Sequence, residues 1–338
     1  MGSVFLFTDV VNLRYNKGTK VREKIFRIHG KTKDVARDTS WQRLILACLI
    51  LALLYLLLIK RVFLTPDLIF VFFLAIFATL SETKEFLKRF LPIFSLLLVY
   101  EFFRGLADWL NGTVHFTEMI NFDRWMSAGT LPTYWLQQHL WHGQVQWYDF
   151  YFYFIYMLHF VAPLVFAVIL WKFHSKHYWR FIFALVVLSF GAFITYLIYP
   201  AAPPWMAKDL GYIAEPITRI SSNIWYAMGV DNFSEVYQRL PANPVAAVPS
   251  LHSAYPLLVC LFLIRILGFR KTGWTLFYPI TMWIGVVYMA EHYVIDVLLG
   301  ALYAIIAFAL SQNDTLYNYL KKTIMNIRIN GLTKIKKL

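Results

Sequence analysis

Residues 274–310 read WTLFYPITMWIGVVYMAEHYVIDVLLGALYAIIAFAL, two long apolar runs broken only at Glu291-His292. A bilayer core of about 30 Å is crossed by roughly twenty apolar residues, so the stretch predicts two antiparallel membrane helices with a histidine at their shared end. Outward from it the same texture recurs. Apolar runs cover about 44–64, 68–81, 91–107, 148–171, 178–199, 250–267, 274–290 and 293–311, the second and third being the weakest. The chain is 59% hydrophobic and 15% charged, against roughly 25% charged for a soluble domain. The expected fold class is therefore all-α, a polytopic transmembrane helical bundle of six to eight spans with interfacial helices and an extracytoplasmic cap.

The net charge of +13 can signal a nucleic-acid partner, but Lys and Arg sit in short blocks between apolar runs and not along one face, so no nucleic acid is expected. Threading eight spans puts 24 of the 32 basic residues on one side and 6 on the other. By the positive-inside rule both termini are cytoplasmic. Residues 1–43 form a basic cytosolic arm, 44–311 the transmembrane catalytic domain, and 312–338 a basic cytosolic tail. The arm has no short apolar stretch ending in a cleavage site, so it does not read as a removable signal peptide. Within the membrane domain, 108–147 carries Trp109, Trp125, Trp135, Trp141 and Trp147 among polar residues, which suits helices at headgroup level. Residues 200–249 lack a clear period and are expected to form a mostly irregular outer cap loop. The two cysteines, Cys48 and Cys260, lie in separate apolar runs and suggest neither a disulfide nor a Cys-based metal site.

Two short patterns carry chemistry. Val248-Pro249-Ser250-Leu251-His252 places a helix start, with Pro and Ser in their usual positions, directly before a histidine. An ionisable group at membrane depth is expensive and usually functional, although a His one turn inside a helix end can also sit among interfacial waters. In Glu291-His292-Tyr293-Val294-Ile295-Asp296 the i, i+4 spacing sets imidazole and carboxylate on one helix face. Asp296 can hold one ring nitrogen as a donor and leave the other as base, nucleophile or ligand; it can equally be a helix-start ion pair. Because the 274–290 span returns the chain to the side where the 250–267 span begins, both histidines fall at one outer face. Two helix N-termini there predict a donor-rich pocket for an anion such as phosphate.

These motifs resemble the type-2 phosphatidic acid phosphatase superfamily. Pro249-Ser250-Leu251-His252, followed by His292-Tyr293-Val294-Ile295-Asp296, is similar to its second and third motifs. The sphingolipid-synthase branch, with inositol phosphorylceramide synthases, is the nearest likeness. Tyr100-Glu101-Phe102-Phe103-Arg104-Gly105 and the Tyr199–Trp205 element support that branch. The resemblance implies a metal-free, cofactor-free two-step displacement. His292 attacks phosphorus to give a phosphohistidine, Asp296 orients its ring, and His252 serves as acid and then base. Partners would be membrane lipids, a phospholipid donor with a lipid alcohol or water as acceptor. The site would lie outside the plasma membrane of a prokaryote or in a secretory-pathway lumen of a eukaryote. A lipid or polyprenyl phosphate phosphatase is the alternative; a transporter or a non-catalytic lipid-binding protein are more distant ones.

The chain departs from the superfamily where Gly285-Val286 replaces its Ser-Arg pair, so the phosphate clamp must come from elsewhere. Arg104 is the expected replacement, or else an ion pair with Asp108; Ser250, Glu101, Lys208 and Arg239 are further candidates. His139 and His142 at i, i+3 have no third ligand near them and read as interfacial histidines. His159 lies mid-span and is either a hydrogen-bonded core residue or part of the substrate cleft.

Overall fold

In this computed structural model the described residues are 66–79, 82–91, 113–229 and 244–319, with single positions between 41 and 95. The expected basic arm, the basic tail beyond 319, most of the 44–64 and 91–107 runs, and Glu101, Arg104 and Arg239 lie outside them. Two compact units are present, one holding residues 67–89 and the other running from Phe90 onward.

The first unit contains α1 (Pro66–Thr79), which covers the 68–81 run. Its 14 residues reach only about 21 Å, short of a bilayer core. Beyond its end the Glu82 N–H meets the Phe77 carbonyl at 2.9 Å, and Phe77 and Phe86 stack with centroids 4.8 Å apart.

In the second unit the apolar runs become helices nearly residue for residue. They are α4 (Trp147–Phe173), α5 (Ser175–Ile198), α8 (Leu251–Leu267), α10 (Phe277–Tyr288) and α11 (Val294–Gln312), with the single turn α9 (Phe269–Thr272) between α8 and α10. Two of these, α5 and α11, are long and apolar enough to cross a membrane, and α4 makes a third if its two halves count as one span. The chain is an integral membrane protein. Outward-facing Phe173, Ile198, Phe277, Leu302 and Ile305 are exposed, as lipid-facing side chains are in a bundle whose apolar residues point both ways.

Pro163 bends α4. It has no N–H for the carbonyl of His159 and its ring crowds that carbonyl, so the halves 147–159 and 161–173 meet at 50°. Small residues set the closest helix approaches. At Gly300 on α11 an added Cβ would lie 2.2 Å from the Ser250 carbonyl oxygen, and at Gly285 on α10 it would lie 2.9 Å from the Phe152 ring on α4. Hydroxyls tie the helices further: Thr195 to Tyr303 at 2.7 Å and Ser189 to Tyr255 at 2.8 Å.

The polar layer at one end of these helices is more ordered than its sequence suggests. The 113–147 stretch forms α2 (Thr117–Met126) and α3 (Pro132–Leu140), with Trp125 and Trp135 exposed. The expected irregular cap contains α6 (Pro204–Asp209) and α7 (Ile220–Ala227). Single β-bridges join His115 to Ala201 and Ala201 to Ala246. Helices of six and eight residues are too short to show a 3.6-residue period, which explains why the pattern was silent there. Gln137 closes the layer: its amide bonds both backbone groups of Thr218 and the Tyr288 carbonyl, each at 2.8 Å.

Candidate active site

The site begins where α10 ends. Met289 caps that helix, and Ala290 takes a left-handed φ of 63°. The Ala290 N–H reaches the Val287 carbonyl at 3.1 Å and the Glu291 N–H reaches Val286 at 3.0 Å, the bonding of a Schellman motif with alanine where glycine is usual. The Val286 carbonyl also accepts from the His292 N–H at 3.2 Å, so the backbone on either side of the imidazole is held.

On the facing helix, the Val248-Pro249 peptide is cis and Tyr196 donates its hydroxyl to the Pro249 carbonyl at 2.7 Å. Ser250 then caps α8, its Oγ accepting from the Ser253 N–H at 3.3 Å. The Ser250 N–H donates to the Asp296 carbonyl at 3.0 Å, and the Ser253 hydroxyl to the Val297 carbonyl at 2.8 Å. Ser250 is fully buried and serves as cap and interhelix tether.

These contacts deliver a chain of three side chains. His252 Nδ1 lies 2.9 Å from His292 Nε2, and His292 Nδ1 lies 3.3 Å from Asp296 Oδ2. His292 and Asp296 are buried, His252 half-buried. Asp296 Oδ2 also accepts the Tyr293 N–H at 2.9 Å, which aims the carboxylate. A carboxylate can only accept, so it assigns the proton to His292 Nδ1 and leaves Nε2 with its lone pair. His252 Nδ1–H is then the donor to that lone pair. A nitrogen lone pair and an N–H donor thus meet at one point.

The expected phosphate pocket at two helix ends needs correcting at α11. Asp123 of α2, fully buried, accepts from the Val294 N–H at 2.9 Å and the Ile295 N–H at 3.2 Å. With Tyr293 held by Asp296, the first N–H groups of α11 are filled by the protein's own carboxylates. Burial raises the Asp123 carboxyl to about 6; the two N–H groups pull it down and Asp296 pushes it up. Its folded value exceeds the ordinary 3.8, so its contribution to stability is full below about pH 4 and is lost as pH rises through 6. The expected result is that the wild-type unfolding midpoint, relative to Asp123→Asn, falls between pH 4 and 7 by the equivalent of at most about 3 kcal/mol. A midpoint difference flat across that window would contradict this.

A second ion pair adjoins His292. Arg219 Nε and Nη2 donate to Glu291 at 2.9 and 3.3 Å, Ser221 donates to the same carboxylate, and the guanidinium lies 4.1 Å over the Trp205 ring. Burial raises the Glu291 carboxyl, but Arg219 and then Ser221 outweigh it and hold the group below the usual range. Lys208 is exposed, with its ammonium 3.6 Å from Asp209. Val286, where the superfamily places an arginine, is buried among Met282, Val287 and Val297. His139 is exposed and donates along its own helix to the Trp135 carbonyl at 2.7 Å. His159, in contrast, lies against His252 with ring centroids 3.9 Å apart. Asp123 and Arg219 are the contributions that the motifs did not announce, since their partners lie 171 and 72 residues away.

The fold and the site define the class: an integral membrane protein with an Asp-His-His chain set between two helix starts, buried at Asp296 and His292 and half-buried at His252. The chain belongs to the PAP2 superfamily, which residues 117–310 match. It is similar to a phosphoinositol dihydroceramide synthase of Bacteroides thetaiotaomicron, 37% identical over 151 residues, 41% of this chain and 47% of that protein. It is also similar to an inositol phosphorylceramide synthase of Candida albicans, 28% over 181 residues (49% and 35%). A catalytic subunit of the same synthase from Schizosaccharomyces pombe is 29% identical over 174 residues (46% and 38%). The chain spans less than half the length of each of these relatives. No solved structure matches it.

Proposed function

We propose that this chain is a lipid phosphotransferase that moves a phosphoryl-linked head group, inositol phosphate in the first instance, from a phospholipid to a lipid alcohol. The observation that carries the reading is the 2.9 Å meeting of His252 Nδ1 with His292 Nε2, backed by Asp296. The His292 Nε2 lone pair forms the N–P bond. The P–O bond to the leaving lipid breaks with its electrons on oxygen, and the His252 Nδ1 proton passes to that oxygen. In the second half His252 takes the proton of the incoming hydroxyl, whose oxygen displaces His292. Stabilising the charge on the transferring group is commonly the largest catalytic contribution. We assign that part to Arg104, with Glu101, Lys208 and Arg239 as further contacts to the head group. The synthase names of the relatives favour a ceramide-like acceptor. The bundle is taken to have six to eight spans with both termini cytoplasmic, so that the histidines and the 200–249 cap are extracytoplasmic.

The test is to reconstitute the full chain in vesicles holding phosphatidylinositol labelled at phosphorus, with and without ceramide. Expected are an acid-labile label on the protein and its transfer to ceramide, undiminished by chelators. Label passing only to water would make the protein a phosphatase. No protein-bound label under either condition would remove the phosphohistidine.

A further inference from the structure

His159 is a buried imidazole with no part in the steps above. It stands four residues before Pro163, at the 50° bend of α4, and the bend carries its ring against His252: centroids 3.9 Å apart, planes at 55°. One turn earlier Tyr156 stacks on the same imidazole, 4.3 Å between centroids and 15° between planes. His159 Nδ1 lies 2.6 Å from the Tyr156 carbonyl oxygen. That oxygen can only accept, so Nδ1 carries the proton and the orientation of the His159 ring is set by the backbone of its own helix. His252 likewise stands four residues before a proline, Pro256 of α8, which withholds the usual helical N–H from its carbonyl. Two histidines, each at a proline-interrupted turn, are therefore pressed together through the bundle. Their ring contact holds one face of the imidazole whose Nδ1 meets His292.

We propose that Tyr156 and His159 are positioning residues for His252, holding its Nδ1–H where the leaving oxygen departs, so that protonation of the leaving group depends on them and attack by His292 does not. The inference rests on the phosphotransfer reading and assigns work within it. An aromatic ring against an imidazole also favours the protonated ring that an acid step requires.

The leaving group separates this role from simple packing. A 4-nitrophenolate departs without a proton, whereas the alkoxide of a diacylglycerol needs one. Rapid-quench formation of labelled protein would be measured with two donors, phosphatidylinositol and the 4-nitrophenyl diester of inositol phosphate, on the full chain in phospholipid–detergent micelles. In His159→Phe and Tyr156→Leu the rate with phosphatidylinositol is expected to fall at least about tenfold, a part of the roughly 10²–10⁴ that general acid catalysis supplies, while the aryl rate changes by less than about threefold. Tyr156→Phe, which keeps the ring, should recover most of the loss seen in Tyr156→Leu. Equal losses with both donors, in these variants or in His159→Asn, would overturn the inference and make the two residues packing groups. So would the absence of any loss. Wild-type protein that takes label from neither donor would overturn the phosphotransfer reading and this inference together, a result visible before any variant is made.

Discussion

Changing His292 to Ala is expected to abolish the covalent phosphoenzyme and lower turnover by about 10⁴-fold or more, because it removes the only atom placed to bond phosphorus in the proposed displacement. Asp296→Asn should leave the fold intact yet cost roughly 10²–10³-fold. The Tyr293 N–H at 2.9 Å and His292 Nδ1 at 3.3 Å both meet Asp296 Oδ2, so an amide oxygen at that position still accepts from both. What the amide removes is the negative charge that stabilises the His292 ring as it turns cationic on bonding phosphorus. Quenched phosphoenzyme assays on wild type and the two variants measure both effects. Acid-labile label at wild-type level in His292→Ala would move the nucleophile to another residue, and an Asp296→Asn variant as fast as wild type would mean that the charge of Asp296 takes no part in the displacement.

The parts of this protein legible in its sequence are those whose cause is local. Apolar runs at 148–171, 178–199, 250–267 and 293–311 became helices within three residues of those bounds, since lipid exposure demands apolar character along the whole segment. The 274–290 run lost its beginning to a 3-10 turn at Gly273–Leu276. The His292–Asp296 pair could be read from spacing alone, and its approach to His252 from the direction of the intervening span. What could not be read depends on distant partners. The helix start at Val294 looks open to an anion until Asp123, 171 residues earlier, is seen to occupy it. Arg219 is one unremarkable loop cation until folding sets it against Glu291. His159 left both of its readings open; the shared His-x-x-x-Pro spacing of His159 and His252 was the available signal, and only the 3.9 Å ring contact gives it meaning.

The close approach at Gly300 yields a prediction whose sign is decisive. In a helix interior alanine is favoured over glycine by about 1 kcal/mol, so Gly300→Ala judged by α11 alone should stabilise the protein. The packing argues the opposite. The new methyl carbon would lie 2.2 Å from the Ser250 carbonyl oxygen and 3.1 Å from Ser253 Cβ, and the nearest of these atoms is backbone that cannot rotate away. Relief requires α8 and α11 to part by on the order of 1 Å, a strain of roughly 1–3 kcal/mol. Parting strains the bonds that register the two helices, Ser250 N–H to the Asp296 carbonyl at 3.0 Å and Ser253 Oγ to the Val297 carbonyl at 2.8 Å. The same movement opens the 2.9 Å His252–His292 contact, and a misplacement of that size can cost about 10²-fold in rate. Gly300→Ala is therefore expected to unfold at a lower temperature than wild type and to lose head-group transfer by about two orders of magnitude; Gly300→Val should do both more severely. A Gly300→Ala protein with a raised unfolding midpoint and undiminished transfer would mean that α8 and α11 do not meet as closely as this register requires.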